Sequence, residues 1–291
     1  MNLRTGLVGA GPWAEMFHVP MLSAGAGTTL DAVWSRRPDA AQAVAADVGA
    51  TPVVTFEELL AHCDAVAFAV PPDVQAELAP LAAAAGKHLI LEKPLAFTVE
   101  GAERIADAVD EAGVQTVVML RNRYTTTGRA FVESARASPA RGGVASCVTG
   151  AALEGSPFAT LWRVERGALF DLGPHSLDLL DAAMGRIEHI VAKGDPVRWI
   201  SMITEHEGGA LGQVALSITT PGTAGSLRCE VYTDDGPVIF DGAESDGDEQ
   251  VREALTRALA TAVETGTPTP TDVHRGVHLQ RLLSQAESAL G

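Results

Sequence analysis

The sequence is poor in cysteine, in lysine and in positive charge. Its three cysteines, Cys63, Cys147 and Cys229, are scattered and odd in number. Neither a disulfide framework nor a thiolate metal site is therefore indicated, and we interpret them as small core residues.

The sequence has 21 basic residues and 37 acidic ones, which gives a formal net charge of -16. Because a phosphate backbone or an anionic membrane requires a basic face, we expect no nucleic-acid or membrane partner.

Long hydrophobic runs are also missing. No apolar run approaches the roughly 20 residues needed to span a bilayer, and the N-terminus lacks the pattern of a secretion signal. We therefore expect a cytoplasmic location. What the chain does have is 46% hydrophobic and 20% charged residues over 291 positions. This composition is typical of a globular protein with a substantial core and with room for two domains.

Residues 1–120 alternate short apolar runs with helical stretches. The alternation predicts βαβ units and a doubly wound parallel sheet, the α/β class. The expected strands are 3–8, 30–34, 64–70, 89–91 and 115–120, and the expected helices are 14–25, 38–47, 73–85 and 98–112.

Residues 121–291 follow a different pattern, which predicts an α+β domain with an open, mostly antiparallel sheet. After a polar, turn-rich segment at 121–130, a helix is expected at 167–184. The expected strands are 144–152, 187–193, 197–205, 210–219, 226–232 and 237–241, and two helices at 248–265 and 273–289 close the chain.

A glycine turn follows the first expected strand. In the sequence Gly9-Ala10-Gly11-Pro12-Trp13-Ala14, the first glycine permits a tight strand-to-helix turn, and the second lets the backbone approach a pyrophosphate. We expect Pro12 and Trp13 of this turn to contact the cofactor as well. An ordinary glycine turn is the alternative, but the position between a strand and a helix favours a dinucleotide site.

The end of the second expected strand indicates which dinucleotide is bound. An NAD enzyme usually has an acidic residue there, whereas this chain has Ser35-Arg36-Arg37. A hydroxyl and two guanidinium groups suit a 2′-phosphate, which a carboxylate would repel. We therefore favour NADP(H) over NAD(H), with solvated surface charge as the alternative reading of both arginines.

Lys93 is the first candidate for chemistry. Gly9, Ser35, Pro71 and Lys93 each follow an expected parallel strand, so they should meet at the sheet edge where such folds bind ligands. Pro94 holds Lys93 extended. Only three of the 21 basic residues are lysines, and a lysine exchanges its proton far more readily than an arginine.

Asp171 and His175 form the second candidate group, in the sequence Asp171-Leu172-Gly173-Pro174-His175. Four residues apart on a helix, the carboxylate can orient the imidazole and stabilise its protonated form. Pro174 would kink such a helix, unless the helix begins near this proline. The alternatives are a capping aspartate with a core histidine, or a metal pair, for which we see no convincing further ligands.

With Gly9-x-Gly11, Glu92-Lys93-Pro94 and Asp171-x-Gly173-x-His175-x-x-Asp178 in this order and spacing, the chain resembles the glucose-fructose oxidoreductase/inositol dehydrogenase (Gfo/Idh/MocA) family. The resemblance runs nearly end to end. It implies a Rossmann domain, here residues 1–120, and an α+β domain, here 121–291, whose open sheet often mediates oligomerisation.

The resemblance also implies roles for individual residues. Lys93, Asp171 and His175 look like the family's catalytic residues. Val70, Pro71, Pro72, Glu92 and Arg121 look like cofactor-contacting positions, and Arg123, Tyr124, Trp162 and Arg163 fall, with His175, where the substrate pocket is commonly lined. The chain departs from the family pattern at Gln75, where a histidine is usual, at Arg121-Asn122-Arg123-Tyr124, and at Arg166-Gly167.

These observations predict an NAD(P)-dependent oxidoreductase that transfers a hydride between nicotinamide and a sugar, cyclitol or related alcohol or carbonyl. Either Lys93 or His175 is the immediate acid or base. A homo-oligomer, dimer or tetramer, is expected, and no metal site. The alternatives are a non-catalytic dinucleotide sensor or scaffold of the same fold, and a metal-assisted enzyme that uses Asp171 and His175.

Overall fold

The structure is a computed structural model that describes residues 2–223 and 225–290. The chain divides into two compact units. The first comprises Met1–Met119 and Gly247–Val277, and the second comprises Leu120–Asp246 and His278–Gly291.

The first unit contains a six-stranded parallel sheet in the order β3-β2-β1-β4-β5-β6. Its strands are β1 (Leu3–Val8), β2 (Thr28–Trp34), β3 (Thr51–Pro52), β4 (Ala65–Phe68), β5 (His88–Leu91) and β6 (Thr116–Val118). Its helices are a π-helix (Ala14–His18), α1 (Val19–Ser23), α2 (Pro38–Val48), α3 (Phe56–His62), α4 (Pro72–Ala84), α5 (Val99–Ala112) and α9 (Asp248–Thr265). The order of the strands reverses direction between β1 and β4, which are neighbours in the sheet. In doubly wound folds the crevice at this switch point binds dinucleotides.

Residues 247–277 belong to the first unit, although the sequence analysis places them in the second domain. The Thr256 hydroxyl donates to the carbonyl of Ala26, and Thr271 donates to the carbonyl of Val118. The Thr116 hydroxyl in turn accepts from the backbone N–H of Val273. These bonds join positions more than 150 residues apart, so a local sequence pattern cannot predict that 247–277 pack in the first unit.

The second unit is built on a mixed six-stranded sheet in the order β12-β11-β7-β10-β9-β8. Its strands are β7 (Ala140–Val148), β8 (Ile187–Asp195), β9 (Trp199–His206), β10 (Leu211–Ser217), β11 (Leu227–Thr233) and β12 (Gly236–Asp241). Its helices are two 3₁₀ helices (Arg121–Tyr124 and Gly242–Glu244), α6 (Thr126–Arg136), α7 (Leu161–Asp171) and α8 (Gly173–Met184). The last helix, α10 (Val273–Ala289), supplies residues to both units. The predicted fold class is confirmed, and among the described pairings of this second sheet only that of β7 with β10 is parallel.

The two faces of the second sheet differ in burial. Along β9 every second residue is buried, and α8, nearly all buried, packs on the covered face, where Met184 lies against Gly143. The opposite face carries a row of directly paired positions that crosses all six strands. Its apolar members, each 41–58% exposed, are Val144, Val191, Ile203 and Ile239.

Several local features differ from the sequence prediction, among them the short strand β3, which was not expected. The helix expected at 14–25 begins as a π-helix. The short α3 was not expected, although its Thr55 and Glu58 form a capping box. The segment expected to be turn-rich at 121–130 instead runs into α6, which the Thr125 hydroxyl caps. No helix within the described residues is both long and apolar enough to cross a membrane.

Candidate active site

The glycine turn after β1 has a backbone that only glycine fits. Gly9 has a φ of +115°, and a Cβ on it would collide with the carbonyl oxygen of Ala69. Gly11, by contrast, has no heavy atom within 4 Å of the place where its Cβ would be. The first glycine therefore allows close packing against β4, and the second leaves open space beside the backbone for a ligand.

A cavity of about 350 Å³ lies at the carboxyl ends of β1, β2 and β4 in the first unit. Three chain segments line it, namely Gly9–Gly11, Trp34–Arg37 and Ala69–Pro71, together with Val74. Gly9, Ser35 and Pro71, three of the four residues that the sequence places together, line this cavity at the switch point of the sheet, whereas the fourth, Lys93, is not among its lining residues. A pyrophosphate fits beside Gly11, so the residues present suit a dinucleotide.

Ser35, Arg36 and Arg37 occupy different places at this cavity. Arg37 Nη2 donates to the carbonyl of Ala10 at 3.0 Å, and its backbone N–H donates to Ser35 Oγ at 3.2 Å. Arg37 is thereby fastened to the glycine turn. Arg36 is exposed, and within the described residues its guanidinium has no hydrogen-bond partner. Arg36 is therefore the arginine that can turn to a bound anion without breaking a contact.

Glu92, at the end of β5, points into the unit. Its Oε1 accepts from Trp13 Nε1 at 2.5 Å and from His18 Nε2 at 2.8 Å. Its Oε2 accepts from the backbone N–H of Lys93 at 3.2 Å. Burial raises the pKa of the Glu92 carboxyl, but the bond from His18, the charges of His18 and Lys93 and the bond from Trp13 outweigh it, so this pKa lies below its ordinary value. Glu92 is a buried carboxylate.

The backbone on both sides of Lys93 is held by Gln75 of α4. Gln75 Nε2 donates to the carbonyls of Glu92 and Leu95, both at 2.9 Å, and its Oε1 accepts from the Glu92 N–H at 2.7 Å. This residue is fully buried. The sequence analysis notes Gln75 only as a departure from the family pattern, and neither it nor His18 was predicted as a site residue.

In the second unit a glycine again fixes the candidate site. Gly167 interrupts α7 with a φ of 71° and a ψ of -165°. A Cβ on Gly167 would collide with the carbonyl oxygen of Pro196, which accepts a hydrogen bond from the Ala168 N–H at 2.6 Å. The chain bends once more at Leu172, and α8 begins at Gly173 with Pro174 in its first turn. The helix therefore begins near Pro174, where proline needs no donor partner.

Asp171 and His175 lie on either side of this second bend. Asp171 is buried, and its Oδ1 lies 3.1 Å from Arg163 Nε. The guanidinium of Arg163 stacks 4.7 Å from the ring centroid of Trp162. His175 is partly exposed in the first turn of α8. The ion pair with Arg163 holds the Asp171 carboxylate in one orientation, in which it can accept hydrogen bonds.

Asp178 extends this group by one helical turn. Its Oδ1 lies 3.2 Å from Arg123 Nη1, and both side chains are largely buried. His175 is four residues after Asp171, across the break at Leu172, and three before Asp178 on α8, a spacing that puts His175 and Asp178 on one side of that helix. In the sequence, the imidazole thus stands between two carboxylates that are each paired with an arginine.

The remaining predicted positions are placed as follows. Val70 and Pro71 line the cavity, Pro72 is buried at the start of α4, and Pro12 is exposed in the glycine turn. Arg121 and Tyr124 belong to the first 3₁₀ helix of the second unit, where Tyr124 is buried. No group of three or more histidine, cysteine, aspartate or glutamate side chains within residues 2–223 and 225–290 could hold a metal ion.

Two family models match the chain. Residues 3–120 match the oxidoreductase family GFO_IDH_MocA with its NAD-binding Rossmann fold, and residues 143–239 match the GFO/IDH/MocA C-terminal domain.

Individual relatives agree with this match. The chain is 27% identical over 208 residues to the dTDP-3,4-didehydro-2,6-dideoxy-alpha-D-glucose 3-reductase of Streptomyces violaceoruber, covering 69% of this chain and 60% of that protein. It is 32% identical over 126 residues to the inositol 2-dehydrogenase of Rhizobium meliloti (strain 1021), covering 43% and 38%. The chain thus matches less than two thirds of the length of either relative.

Among solved structures, GenD2 from gentamicin A biosynthesis, in complex with NAD, superposes with a TM-score of 0.86 at 24% identity, over 99% of this chain and 94% of that one. This similarity shows the fold. The family description confirms the predicted class of enzyme, an oxidoreductase. With both of its units matched by models of one family, the chain belongs to the Gfo/Idh/MocA oxidoreductase family.

Proposed function

We propose that this chain is an NADP(H)-dependent dehydrogenase or reductase acting on the CH–OH group of a sugar, cyclitol or related alcohol, or on the corresponding carbonyl. The observation that carries the proposal is the cavity at the strand ends, with Gly11 open on one side and Ser35 and Arg36 on the other. When bound, the dinucleotide supplies a hydride donor or acceptor. Relatives named as a sugar-nucleotide reductase and an inositol dehydrogenase support this substrate class.

Lys93, Asp171 and His175 are the proposed catalytic residues. Oxidising an alcohol to a carbonyl releases a hydroxyl proton along with the hydride, so a base must take that proton. Lys93 and His175 are the two candidates for this base, and Asp171 orients the imidazole. Arg123, Tyr124, Trp162 and Arg163 are the proposed substrate-lining residues, and Val70, Pro71, Pro72 and Arg121 the further cofactor contacts.

The preference for NADP(H) rests on the two arginines. Arg37 holds the glycine turn, which leaves Ser35 Oγ and the exposed Arg36 guanidinium to meet a 2′-phosphate. No acidic residue stands at 35–37 to accept ribose hydroxyls in the way that NAD enzymes use.

The test of the proposal is nicotinamide absorbance at each of the two cofactors with a panel of sugars, cyclitols, diols and ketones. Turnover of at least one compound that depends on Lys93 or His175 is the expected result. Tight dinucleotide binding without turnover on any compound would favour a non-catalytic sensor. Activity lost to a chelator and restored by a divalent cation would favour metal-assisted chemistry.

We further propose that the protein is a homo-oligomer, a dimer or tetramer, formed through the open face of the second sheet. Val144, Val191, Ile203 and Ile239 are the apolar members of the row that crosses this face, and its members on the other two strands are Gln213 and Glu230. A single sheet face pairs well with a second copy of itself in a two-fold dimer. Light scattering on Ile203→Glu should then show a smaller species than the wild type.

A cytoplasmic location is part of the same proposal. Its support is that Cys63, Cys147 and Cys229 are buried free thiols, the state that a reducing compartment maintains.

A further inference from the structure

The loop that carries Lys93 is held from two sides by side chains, two of which, Gln75 and His18, are not among the predicted site residues. Each polar group of Glu92, the residue before Lys93, has a partner. Its N–H and its carbonyl are bonded to Gln75, and its two carboxylate oxygens accept from Trp13, His18 and the Lys93 backbone. Beyond the lysine, the Leu95 carbonyl accepts from Gln75 as well.

The π-helix explains how Trp13 and His18 reach the same carboxylate oxygen. These residues are five apart, a spacing that puts side chains on different sides of an α-helix, with its 3.6 residues per turn. The wider turn here bonds the Val19 N–H to the Ala14 carbonyl, an i→i+5 contact. With this pitch, Trp13 and His18 face the same way.

The wide turn is itself secured. The ring of Trp13 stacks on the ring of Phe17, with centroids 4.9 Å apart. The guanidinium of Arg252 in α9 lies over the ring of Phe17, 5.0 Å from its centroid. Arg252 Nη2 also donates to the carbonyl of Met16 at 2.6 Å. The donors to Glu92 are thus held by packing and by a cation in the same unit.

We propose that Gln75, Trp13 and His18 are positioning residues that fix the location of Lys93 by holding Glu92, the residue before it. The inference rests on the proposed function, in which Lys93 is a candidate acid or base. Gln75 fixes the backbone on both sides of Lys93, and Trp13 and His18 hold the Glu92 carboxylate. Because an acid or base must lie within hydrogen-bond reach of the reacting group, the position of the lysine backbone decides whether its amine can act.

The low lysine content allows a test that needs neither cofactor nor substrate. Lys93 is one of three lysines, and Lys193 is exposed on β8, so it serves as an internal reference. Acetylation of the free enzyme across a pH series, read by peptide mass spectrometry, gives the rate for Lys93 relative to Lys193. Because both amines are labelled in the same sample, this ratio reports the position of the Lys93 amine through its accessibility to the reagent.

The principal variant is Gln75→Leu, which removes three hydrogen bonds with little change in volume. Trp13→Phe keeps an aromatic ring and removes one donor, and it remains informative if Gln75→Leu does not fold. Thr28→Val is the matched control, because Thr28 is a fully buried residue of the same unit whose hydroxyl donates to Leu22 instead.

The expected result is a Lys93-to-Lys193 ratio that changes severalfold in Gln75→Leu or Trp13→Phe and stays at the wild-type value in Thr28→Val. With a substrate in hand, kcat should fall about tenfold, equivalent to about 1.4 kcal/mol, while KM changes little. Gln75→His should recover part of the loss, because imidazole keeps one donor and one acceptor.

A wild-type ratio in both folded variants overturns the proposal, and so does an equal change in Thr28→Val. Failure of the proposed function has a different signature. If Lys93→Met retains full turnover, or if no compound reacts, the proposed catalytic role of Lys93 is wrong. The labelling result still reports whether Gln75 and Trp13 position Lys93.

Discussion

The two units position their candidate catalytic side chains by different means. In the first unit, Lys93 follows a residue whose carboxylate and backbone are held by Trp13, His18 and Gln75. In the second, His175 follows Asp171 and precedes Asp178, and these carboxylates are each paired with an arginine, Arg163 with Asp171 and Arg123 with Asp178. The bonds of Gln75 to the backbone involve no ionisable side chain, whereas the contacts of Glu92 and the two ion pairs depend on charge.

This difference bears on which residue exchanges protons. Buried ion pairs are strongly destabilising when one partner is removed, by about 3–5 kcal/mol. Asp171 and Asp178 are each paired with an arginine, so in the proposed function the imidazole of His175 is the proton-exchanging candidate of the second unit. In the first unit the carboxylate of Glu92 is paired as well, so the amine of Lys93 is the corresponding candidate.

The largest expected effect decides whether Lys93 of the first unit or His175 of the second is the immediate acid or base. Replacing the immediate acid or base should lower kcat at least a hundredfold, because a positioned acid or base contributes roughly 10²–10⁴ in rate. We would compare Lys93→Met with His175→Ala and record kcat against pH for each. The residue whose loss removes one limb of the profile is the acid or base. If neither change lowers kcat tenfold, the proposed site is wrong.

The next effect compares one glycine from each unit. Gly9 and Gly167 both have positive φ, and a Cβ on either would strike a backbone carbonyl, of Ala69 and Pro196 respectively. Alanine at either position should lower the free energy of unfolding by about 2–4 kcal/mol, measured by urea denaturation.

Gly11→Ala is the matched control for this pair, because nothing lies within 4 Å of its added Cβ. Its stability should match the wild type, while its dinucleotide affinity should fall, since the methyl group fills the space beside the backbone. Equal destabilisation in all three variants would contradict the assignment of different roles to Gly9 and Gly11.

The first unit was more readable from the sequence than the second, for a physical reason. Gly9, Ser35, Pro71 and Lys93 each follow a strand, and parallel strands bring their carboxyl ends to one edge of the sheet. Local motifs were therefore enough to predict which loops lie at that edge. The contact of Arg163 with Asp171 depends on the break in α7 at Gly167, which hydrophobic periodicity does not predict.

Some features of the first unit were also hidden. Gln75 and His18 act through hydrogen bonds to residues 17 and 74 positions away, and Arg252 reaches the glycine turn region from 236 positions away. One missed feature did have a local signal: Thr55 and Glu58 form a capping box that announces α3.

A smaller effect concerns the choice of dinucleotide. Arg36→Ala with Ser35→Asp should shift the ratio of kcat/KM for NADPH over NADH at least tenfold toward NADH, because a charge-assisted contact is lost and a repulsive carboxylate is gained. Arg37→Ala is the contrasting variant. Since Arg37 is bonded to Ala10, its loss should weaken both dinucleotides alike. An unchanged ratio in the Ser35/Arg36 variant would remove the phosphate argument.

The smallest effect tests whether the first unit depends on the charge of Glu92. The pKa of this carboxyl is lowered in the folded protein, so its ionised form adds stability above the ordinary value of about 4.3, and that stability is lost as pH falls through the lowered folded value. Glu92→Gln should therefore be less stable than the wild type by about 1–3 kcal/mol at pH 7, since donors lose a charged acceptor.

The difference between the two proteins should shrink as the pH falls below about 4, because the wild type then loses the same charge. Urea denaturation at a series of pH values measures it. A difference that stays constant down to pH 3 would mean that the volume or shape of the side chain, and not its charge, supports the loop. In that case the contrast between a unit held by hydrogen bonds to one carboxylate and a unit held by ion pairs would disappear.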